Sequence, residues 1–389
     1  MSDERSAFQP DRPAAPTEGL AEGLAEGVAA GAVAAPGATR ARRPLVIAHR
    51  GASGYVPEHT LASYFIAIEC GADFIEPDLV MTKDRVLVAR HENEIGTTTD
   101  VAAHPEFAGR HTCKVVDGTQ IRGWFTEDFT LEELKTLRVR ERIPDIRPQN
   151  TRFDGQFTIA SFEEILDLLQ SAGHSRQAQA RRLGLPRPAP IGVYPETKHP
   201  SYFRALGLAM EEPLVDVLER YGYAGRHASA FIQSFEVGNL RTLHTFTRLP
   251  LVQLIESCGA PYDLAASGDP RTYADLVTPK GLDELCRYAA AIGPAKALVI
   301  GRSATDDLTA PGPLVAEAHA RALQVHAWTF RAENSFLPRQ FRSNTDPAAP
   351  GDLGGELRAY LAAALDGFFT DQPDLGVRSR DAFPGIIRA

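Results

Sequence analysis

The chain has 389 residues, of which 43% are hydrophobic and 23% charged, which is ample apolar material for a folded core. Its formal net charge of -9 argues against generic nucleic-acid binding, so any site for an anionic substrate must be locally basic. No apolar run approaches the roughly 18 residues of a membrane span, and the four cysteines are scattered, without the close pairs typical of metal sites.

The first 43 residues are rich in alanine, glycine and proline and predict a disordered extension ahead of a folded region over residues 44–389. The start is acidic, at Asp3 and Glu4, and glutamate and glycine interrupt its apolar part. A secretory signal needs a basic start and an unbroken apolar stretch. We therefore expect a cytoplasmic location, with a periplasmic or secreted one as the alternative if the start codon is misassigned.

Short apolar runs alternate with helical patterns over the rest of the chain. Such alternation is typical of a parallel α/β fold. A closed barrel needs eight strands, so one run, 297–300, is expected to be peripheral. The runs that predict strands are residues 45–48, 73–81, 86–91, 191–194, 231–235, 251–255, 297–300, 325–330 and 368–370.

Helix start signals stand between these runs. Thr60 is placed to cap a helix that has Leu61, Phe65 and Ile68 at helical spacing, and Gly71 suits its end. Further start signals, two capping boxes and a threonine–proline pair, lie at residues 130–133, 161–164 and 278–279.

Two stretches depart from regular alternation. The gap from residue 78 to residue 86 is too short for a crossover helix, so the third run is parallel to the second only if the chain returns extended. Residues 92–157 have little periodic signal, and a segment of this length is expected to be an insertion that shapes a site. Residues 171–190 are rich in arginine, alanine and proline and predict a solvated surface segment.

Paired carboxylates stand in the second strand run. Glu76 and Asp78 are two residues apart, so on a strand they point to the same face. Two such acids repel one another unless a positive charge lies between them, and a divalent cation with oxygen ligands satisfies this requirement. Glu196, at another strand end, is the third candidate ligand. The alternative is a pair of surface acids on an edge strand, which the apolar residues around them disfavour.

Two histidines and two basic residues accompany these acids. His49 and His91 each end an apolar run, and neutral imidazoles beside a metal site can act as general base and general acid near pH 7. Arg50 matches phosphate oxygens with two donors, whereas Lys198 acts as a point charge. A cation, two basic groups and two imidazoles together predict a site that cleaves a phosphodiester.

A series of short motifs carries these residues in order along the chain, from about Leu45 to Val377. They are His49-Arg50-Gly51, Glu58-His59-Thr60, Glu76-x-Asp78, Thr82-Lys83-Asp84, His91, Pro195-Glu196-x-Lys198, Gln233-Ser234-Phe235, Trp328-Thr329 and Thr370-Asp371-x-Pro373. In this order the sequence resembles the glycerophosphodiester phosphodiesterase family, and the residues around Glu58 resemble its bacterial periplasmic branch. The resemblance implies a TIM (β/α)8 barrel of the PLC-like phosphodiesterase type, with a small subdomain inserted after the third strand.

The resemblance also implies a reaction. Glycerophosphodiesters would be hydrolysed to sn-glycerol 3-phosphate and an alcohol, with one bound Ca²⁺, or Mg²⁺ as the alternative. The implied ligands are Glu76, Asp78 and Glu196. The order of attack, by water or by the substrate's own glycerol hydroxyl, is left open.

The remaining implied roles fall on basic and aromatic residues. His49 and His91 would be the acid/base pair, without a decision on which is the acid. Arg50 would act in catalysis and, with Lys198, contact the phosphate. Phe235 and Trp328 are candidates for the surface that takes the glycerol carbons, and ordinary core aromatics are the alternative. The sequence departs from the family pattern at Glu92, where aspartate is usual, and at Gly96, where arginine often stands.

Two other functions compete with this interpretation. A lysophospholipase-D-like enzyme on longer lipids would need an exposed apolar rim, and residues 92–157 are only moderately apolar. A non-catalytic phosphodiester-binding relative would have lost a histidine or a carboxylate, and none is missing. We expect a small-molecule substrate and no nucleic-acid partner. Glu256 is a candidate outer ligand, and we expect structural roles for His244, His319 and His326.

Overall fold

The computed structural model describes residues 43–384, so the predicted extension lies, except for its last residue, outside the described residues. The strands are β1 (Leu45–His49), β2 (Phe74–Glu76), β3 (Asp78–Met81), β4 (Leu87–Ala89), β5 (Thr112–Val116), β6 (Thr119–Gly123), β7 (Gly192–Val193), β8 (Glu196–Thr197), β9 (Ile232–Ser234), β10 (Leu251–Ile255), β11 (Ala291–Pro294), β12 (Ile300–Arg302), β13 (Leu308–Pro311), β14 (Gln324–Phe330) and β15 (Gly367–Thr370). The α-helices are α1 (Leu61–Glu69), α2 (Leu131–Thr136), α3 (Phe162–Arg182), α4 (Pro200–Ala205), α5 (Glu211–Arg220), α6 (Val237–Phe246), α7 (Tyr262–Ala266), α8 (Tyr273–Leu276), α9 (Pro279–Leu285), α10 (Leu314–His319), α11 (Leu353–Ala362) and α12 (Pro373–Asp381).

Eight parallel stretches of strand close into a barrel. Strands β2 and β3 form one stretch that is interrupted at Pro77, and β7 and β8 form another that is interrupted at residues 194–195. β1 pairs with β2, β2 with β7 and β3 with β8, and parallel pairing continues through β9, β10, β11, β14 and β15 back to β1. The predicted (β/α)8 barrel is therefore confirmed over the described residues.

Side chains alternate between the barrel interior and the helix-covered outside, as the two-residue period of a strand requires. Val46 and Ile75 pack in the large cluster with helix residues such as Tyr64. The interior cluster is formed by inward-facing apolar residues of seven strand stretches: Ile47, Phe74, Tyr194, Phe231, Val252, Ala291 and Phe369. In five of these stretches the residue two positions farther along, at the carboxyl end, is polar, so the chemistry is concentrated at one mouth of the barrel. These residues are His49, Glu76, Glu196, Gln233 and Asp371.

The third predicted strand does not belong to the barrel wall. The chain turns at residues 82–85 and β4 runs back antiparallel along β3, with Leu79 opposite Ala89. This hairpin explains why the segment between residues 78 and 86 is too short for a crossover helix, because an antiparallel return needs only a tight turn. His91 lies two residues beyond β4 rather than at a strand end.

Residues 92–157, the expected inserted segment, follow this hairpin strand and precede helix α3. This segment contains the predicted helix α2, with both hydrogen bonds of the Thr130–Glu133 capping box present. It also contains an antiparallel hairpin, β5 and β6, that the sequence analysis missed. The signal was available in Asp117-Gly118, since both residues have positive φ (47° and 77°), as a two-residue hairpin turn requires.

Three expectations outside the insertion need correction. The run 297–300 is peripheral, as expected, but the barrel strand in this region is β11, whose Ala-Ile-Gly-Pro sequence has little strand propensity. Helix α1 buries Ser63, Tyr64, Ala67 and Ile68, whereas Leu61 and Phe65 are exposed. Helix α3 continues to Arg182, so more than half of the predicted surface segment 171–190 is helical.

Candidate active site

The predicted site residues meet at the carboxyl-terminal mouth of the barrel, where enzymes of this fold place their active sites. A cavity of about 270 Å³ opens there. Of the predicted residues, it is lined by His49, Arg50, Glu76, His91, Glu196, Lys198, Phe235 and Trp328. Asp78 is buried and lies beside the lining residues rather than in the lining itself.

Three carboxylates converge at the bottom of this cavity. Glu76, Asp78 and Glu196 are all buried, and one oxygen from each lies within 4.8 Å of the others. Strand register explains the convergence, since Asp78 of β3 is paired with Glu196 of β8. Glu76 faces the same interior from the preceding strand segment.

The electrostatics of this cluster favour the binding of a cation. Burial, together with the charges of Asp78 and Glu196, raises the pKa of Glu76 well above its usual range. Burial and the charge of Asp78 also raise the pKa of Glu196 to about 8, although Lys198 acts in the opposite direction. A hard divalent cation prefers such oxygen ligands and would allow all three groups to ionise together.

Gln233 of β9 completes the surroundings of the acids. Its Nε2 donates to Glu76 Oε1 at 3.0 Å, while its Oε1 is buried and has no hydrogen-bond partner among residues 43–384. An orphaned oxygen beside three carboxylates fits a site that holds a cation. The residues present therefore fit the metal that the sequence analysis expected.

Arg50 owes its position to a tight turn after β1. Its φ is 58°, its backbone N–H donates to Glu76 Oε2 at 2.9 Å, and its side chain lies 2.8 Å from Glu58 and 3.2 Å from Asp78. Gly51 has φ of 86°, and a Cβ added there would lie 2.3 Å from Ser63 Oγ. Glycine at position 51 is thus a steric requirement, because a side chain there would clash where the turn meets helix α1.

Lys198 approaches the acids from β8. Its Nζ donates to Glu196 Oε1 at 2.7 Å, and it lies 5.6 Å from the centroid of the Phe235 ring. Trp328 packs edge-on against Phe235, with ring centroids 5.7 Å apart, and donates from Nε1 to the Gly293 carbonyl at 2.7 Å. An apolar wall therefore borders the charged floor of the cavity.

Each candidate histidine is held by its own carboxylate. His49 Nδ1 lies 2.6 Å from Asp371 Oδ1, and His91 Nδ1 lies 2.5 Å from Glu92 Oε1. An ionised carboxylate only accepts hydrogen bonds, so each Nδ1 carries the proton and each Nε2 is left with a free lone pair. Glu92, which departs from the family pattern, still provides the acceptor.

Both imidazoles are neutral at neutral pH. Burial, and secondarily Arg50, lowers the pKa of His49 to about 4. Burial and the charges of Arg50 and Lys198 also lower the pKa of His91. Burial would raise the pKa of Asp371, but Arg331 and Arg147 hold it well below its usual range, so this acceptor is ionised.

Three residues of the site were matched to motifs but received no role from the sequence. Asp371 and Gln233 each follow an inward-facing phenylalanine by two residues, at Phe369 and Phe231, so the two-residue period could have found them. His59 is buried between Asp78 Oδ2, at 2.9 Å from its Nε2, and the Tyr64 hydroxyl. No periodic signal marks His59.

The other residues considered from sequence lie away from the cavity. His326 is buried in the barrel interior, where its Nδ1 lies 2.8 Å from the Tyr194 hydroxyl. His319 contacts Asp366 at the protein surface. Neither of them, nor His244 or Glu256, lines the cavity.

Comparison with known proteins decides the family. The model of the glycerophosphoryl diester phosphodiesterase family matches residues 49–375. The chain belongs to this family. It is therefore a phosphoric diester hydrolase, and the resemblance predicted from the motifs is confirmed.

Full-length relatives agree with the family match. The chain is 37% identical over 341 residues to a glycerophosphodiester phosphodiesterase of Arabidopsis thaliana, covering 85% of this chain and 84% of the relative. It is 30% identical over 355 residues to a glycerophosphodiester phosphodiesterase of Haemophilus influenzae, covering 86% and 88%.

A solved structure shares the fold. It is an Oleispira antarctica phosphodiesterase in complex with the product sn-glycerol-3-phosphate, similar with a TM-score of 0.54 and 18% identity, over 87% of this chain and 97% of that one. Among the described residues, we find no helix with both the length and the hydrophobicity needed to cross a bilayer.

Proposed function

We propose that this chain is a metal-dependent glycerophosphodiester phosphodiesterase, which hydrolyses glycerophosphodiesters to sn-glycerol 3-phosphate and an alcohol by histidine acid/base catalysis. One observation carries the proposal. A cluster of three buried carboxylates, two of which line the cavity, lies beside two carboxylate-held imidazoles that line the same cavity. Family membership and the product bound to the Oleispira antarctica relative support the choice of substrate.

The metal ligands in this proposal are Glu76, Asp78 and Glu196. A bound Ca²⁺, or Mg²⁺, would neutralise phosphate charge as it develops in the transition state. The positive charge of the cation, Arg50 and Lys198 also explains how a protein with a net charge of -9 can bind an anionic substrate. Arg50 and Lys198 border the same cavity and would bind the phosphate oxygens, Arg50 with its planar fork.

Proton transfer falls to His49 and His91. Each Nε2 is free to exchange a proton because its Nδ1–H is committed to Asp371 or Glu92. One imidazole takes the proton of the attacking hydroxyl or water at its Nε2. The other acts as the acid after it has been protonated at Nε2 beside the anionic phosphate of the bound substrate, and it gives that proton to the oxygen of the leaving alcohol. The apolar edges of Phe235 and Trp328 would contact the glycerol carbons.

An activity screen tests this function. Purified protein is treated with EDTA, dialysed, and assayed on glycerophosphocholine, glycerophosphoethanolamine, glycerophosphoglycerol and a lysophospholipid, with and without added Ca²⁺ or Mg²⁺. We expect sn-glycerol 3-phosphate to form only with added cation. Full activity after chelation would contradict the metal dependence, and hydrolysis of lysophospholipids alone would favour the longer-lipid alternative.

A further inference from the structure

Two arginines of the inserted segment contact the carboxylates that hold the two histidines. Arg142 and Arg147 lie five residues apart in the clamp loop, which we define as residues 141–147. Neither arginine lines the cavity. Their effect on the site must therefore pass through the groups they contact.

Arg142 is bonded to the His91 side of the site. Its NH1 donates to Glu92 Oε1 at 2.9 Å and its NH2 donates to Glu92 Oε2, so the pair is bidentate. Its Nε donates to Glu58 Oε1 at 2.7 Å, and the other oxygen of Glu58 accepts from Arg50 at 2.8 Å. One guanidinium thus fixes the acceptors of both His91 and Arg50.

Arg147 is bonded to the His49 side. Its NH2 donates to Asp371 Oδ2 at 2.6 Å, while Asp371 Oδ1 faces His49. Its Nε donates to Glu333 at 2.6 Å and its NH1 donates to the Ser53 carbonyl at 2.9 Å. Arg147 is 3% exposed, so these bonds are shielded from water.

The clamp loop is itself rigidly held. The Arg147 N–H donates to the Ile143 carbonyl at 2.9 Å, closing a turn. Glu141 accepts from the Ile143 N–H at 3.0 Å and from Asn150 Nδ2 at 2.9 Å. Since both arginines project from one braced loop, their spacing is set by the loop rather than by the barrel.

We propose that Arg142 and Arg147 are positioning residues, through which the inserted segment sets the orientation of His91 and His49. The proposal rests on the proposed function, since it assigns these imidazoles to the acid/base steps. Charge-assisted bonds from a guanidinium are short and directional. Arg142 fixes the plane of Glu92 through two parallel bonds, and Arg147 holds one oxygen of Asp371, so each arginine restrains a carboxylate and, through it, the direction of an imidazole Nε2. The inserted segment acts as a support for catalysis in this arrangement, not as a surface for substrate.

Kinetics with a matched control provide the first test. We expect R142A and R147A to lower kcat on the order of 10-fold to 100-fold, because a small misorientation of a proton-transfer group has this effect. KM and the Ca²⁺ concentration for half-maximal activity stay near the wild-type values, since neither arginine lines the cavity. R140A, which removes an exposed arginine just before the loop, leaves kcat unchanged. Guanidinium ion restores part of the lost kcat in R142A.

An NMR measurement separates positioning from general structural damage. The Nδ1–H protons of His49 and His91, each in a short bond to a carboxylate, give downfield signals that H49Q and H91Q assign. We expect R142A to shift or broaden the His91 signal alone, and R147A the His49 signal alone. R140A leaves both signals in place. This readout requires no turnover.

Lysine variants keep the test decisive where an alanine variant fails to fold. R142K and R147K retain the charge but lack the planar fork that holds two or three acceptors in fixed directions, so we expect folded protein with reduced kcat. Wild-type kcat in folded R142K and R147K, or equal changes of both signals in each variant, would overturn the proposal. A wild-type protein that hydrolyses no glycerophosphodiester overturns the proposed function instead, while the unchanged or altered signals still decide the positioning role.

Discussion

The barrel mouth and the inserted segment contribute to the site in different ways. The barrel strands and the hairpin strand β4 carry the reactive groups, and strand alternation places those on the barrel, such as Glu76 and Asp78 on one face of one stretch. The inserted segment supplies arginines that stay outside the cavity and act on the supporting carboxylates. This difference shows that the two-residue period of a strand can predict the positions of reactive side chains. The positions of the residues that orient them depend instead on contacts between distant parts of the chain.

Removing a carboxylate of the cluster is the strongest test of the barrel's share. We expect E76A and D78A to lower activity by about 10³-fold or more, because each leaves the cation with too few ligands. Isothermal titration with Ca²⁺ should show loss of binding in parallel. A variant that binds Ca²⁺ as the wild type does, yet is inactive, would remove the ligand assignment.

Removing an imidazole should separate proton transfer from metal binding. We expect H49A and H91A each to lower kcat by about 10²-fold to 10⁴-fold, the usual range for a general acid or base. Ca²⁺ binding should persist, because neither histidine belongs to the carboxylate cluster. If both variants retain activity, the acid/base assignment is wrong.

His326 offers a comparison within the barrel, since it is a buried histidine in the interior rather than at the mouth. Burial lowers its pKa from 6.5 to about 4, so the unfolded chain binds more protons between these values and stability falls as the pH drops through this window. Its contribution to the free energy of unfolding should fall by about 2 kcal/mol from pH 7 to pH 5.

Urea unfolding of the wild type and H326Q at both pH values measures this contribution. We expect the variant to lose less stability on acidification than the wild type, with activity per folded molecule little changed. Equal pH dependence in the two proteins would mean that His326 is not held neutral in the fold.

The aromatic wall should have the smallest effect. We expect F235A to raise KM for glycerophosphodiesters by about 10-fold, through loss of apolar contact with the substrate, with a smaller change in kcat. Initial rates over a range of substrate concentrations check this. An unchanged KM would favour the alternative that Phe235 is an ordinary core aromatic.

Much of the barrel, and most of the residues that face the cavity, could be predicted from the sequence. Both depend on the two-residue period of strands and on residues that mark the start of a helix. The apolar run at β1, the same-face spacing of Glu76 and Asp78, and the capping box at Thr130 are all local features. Strand β11 escaped prediction because Gly293 and Pro294 dilute its apolar signal.

The supporting contacts could not be predicted in the same way. Arg147 and Asp371 are separated by 224 residues, and Arg142 and Glu92 by 50. Nothing in the residues around Arg147 distinguishes it from the exposed Arg140 seven positions earlier. Only the folded chain shows which arginine meets a carboxylate.

The hairpin of β3 and β4 has a consequence for the permissible length of its turn. Pairing fixes Ala89 opposite Leu79, and His91 follows two residues later. Because facing alternates residue by residue, one added residue that shifted this pairing would point the imidazole away from the opening. Two added residues would restore its facing but displace it by about 7 Å, the rise of two strand residues. The length of the turn at residues 82–85 therefore fixes the position of His91. Substitutions within the turn should be tolerated better than insertions or deletions.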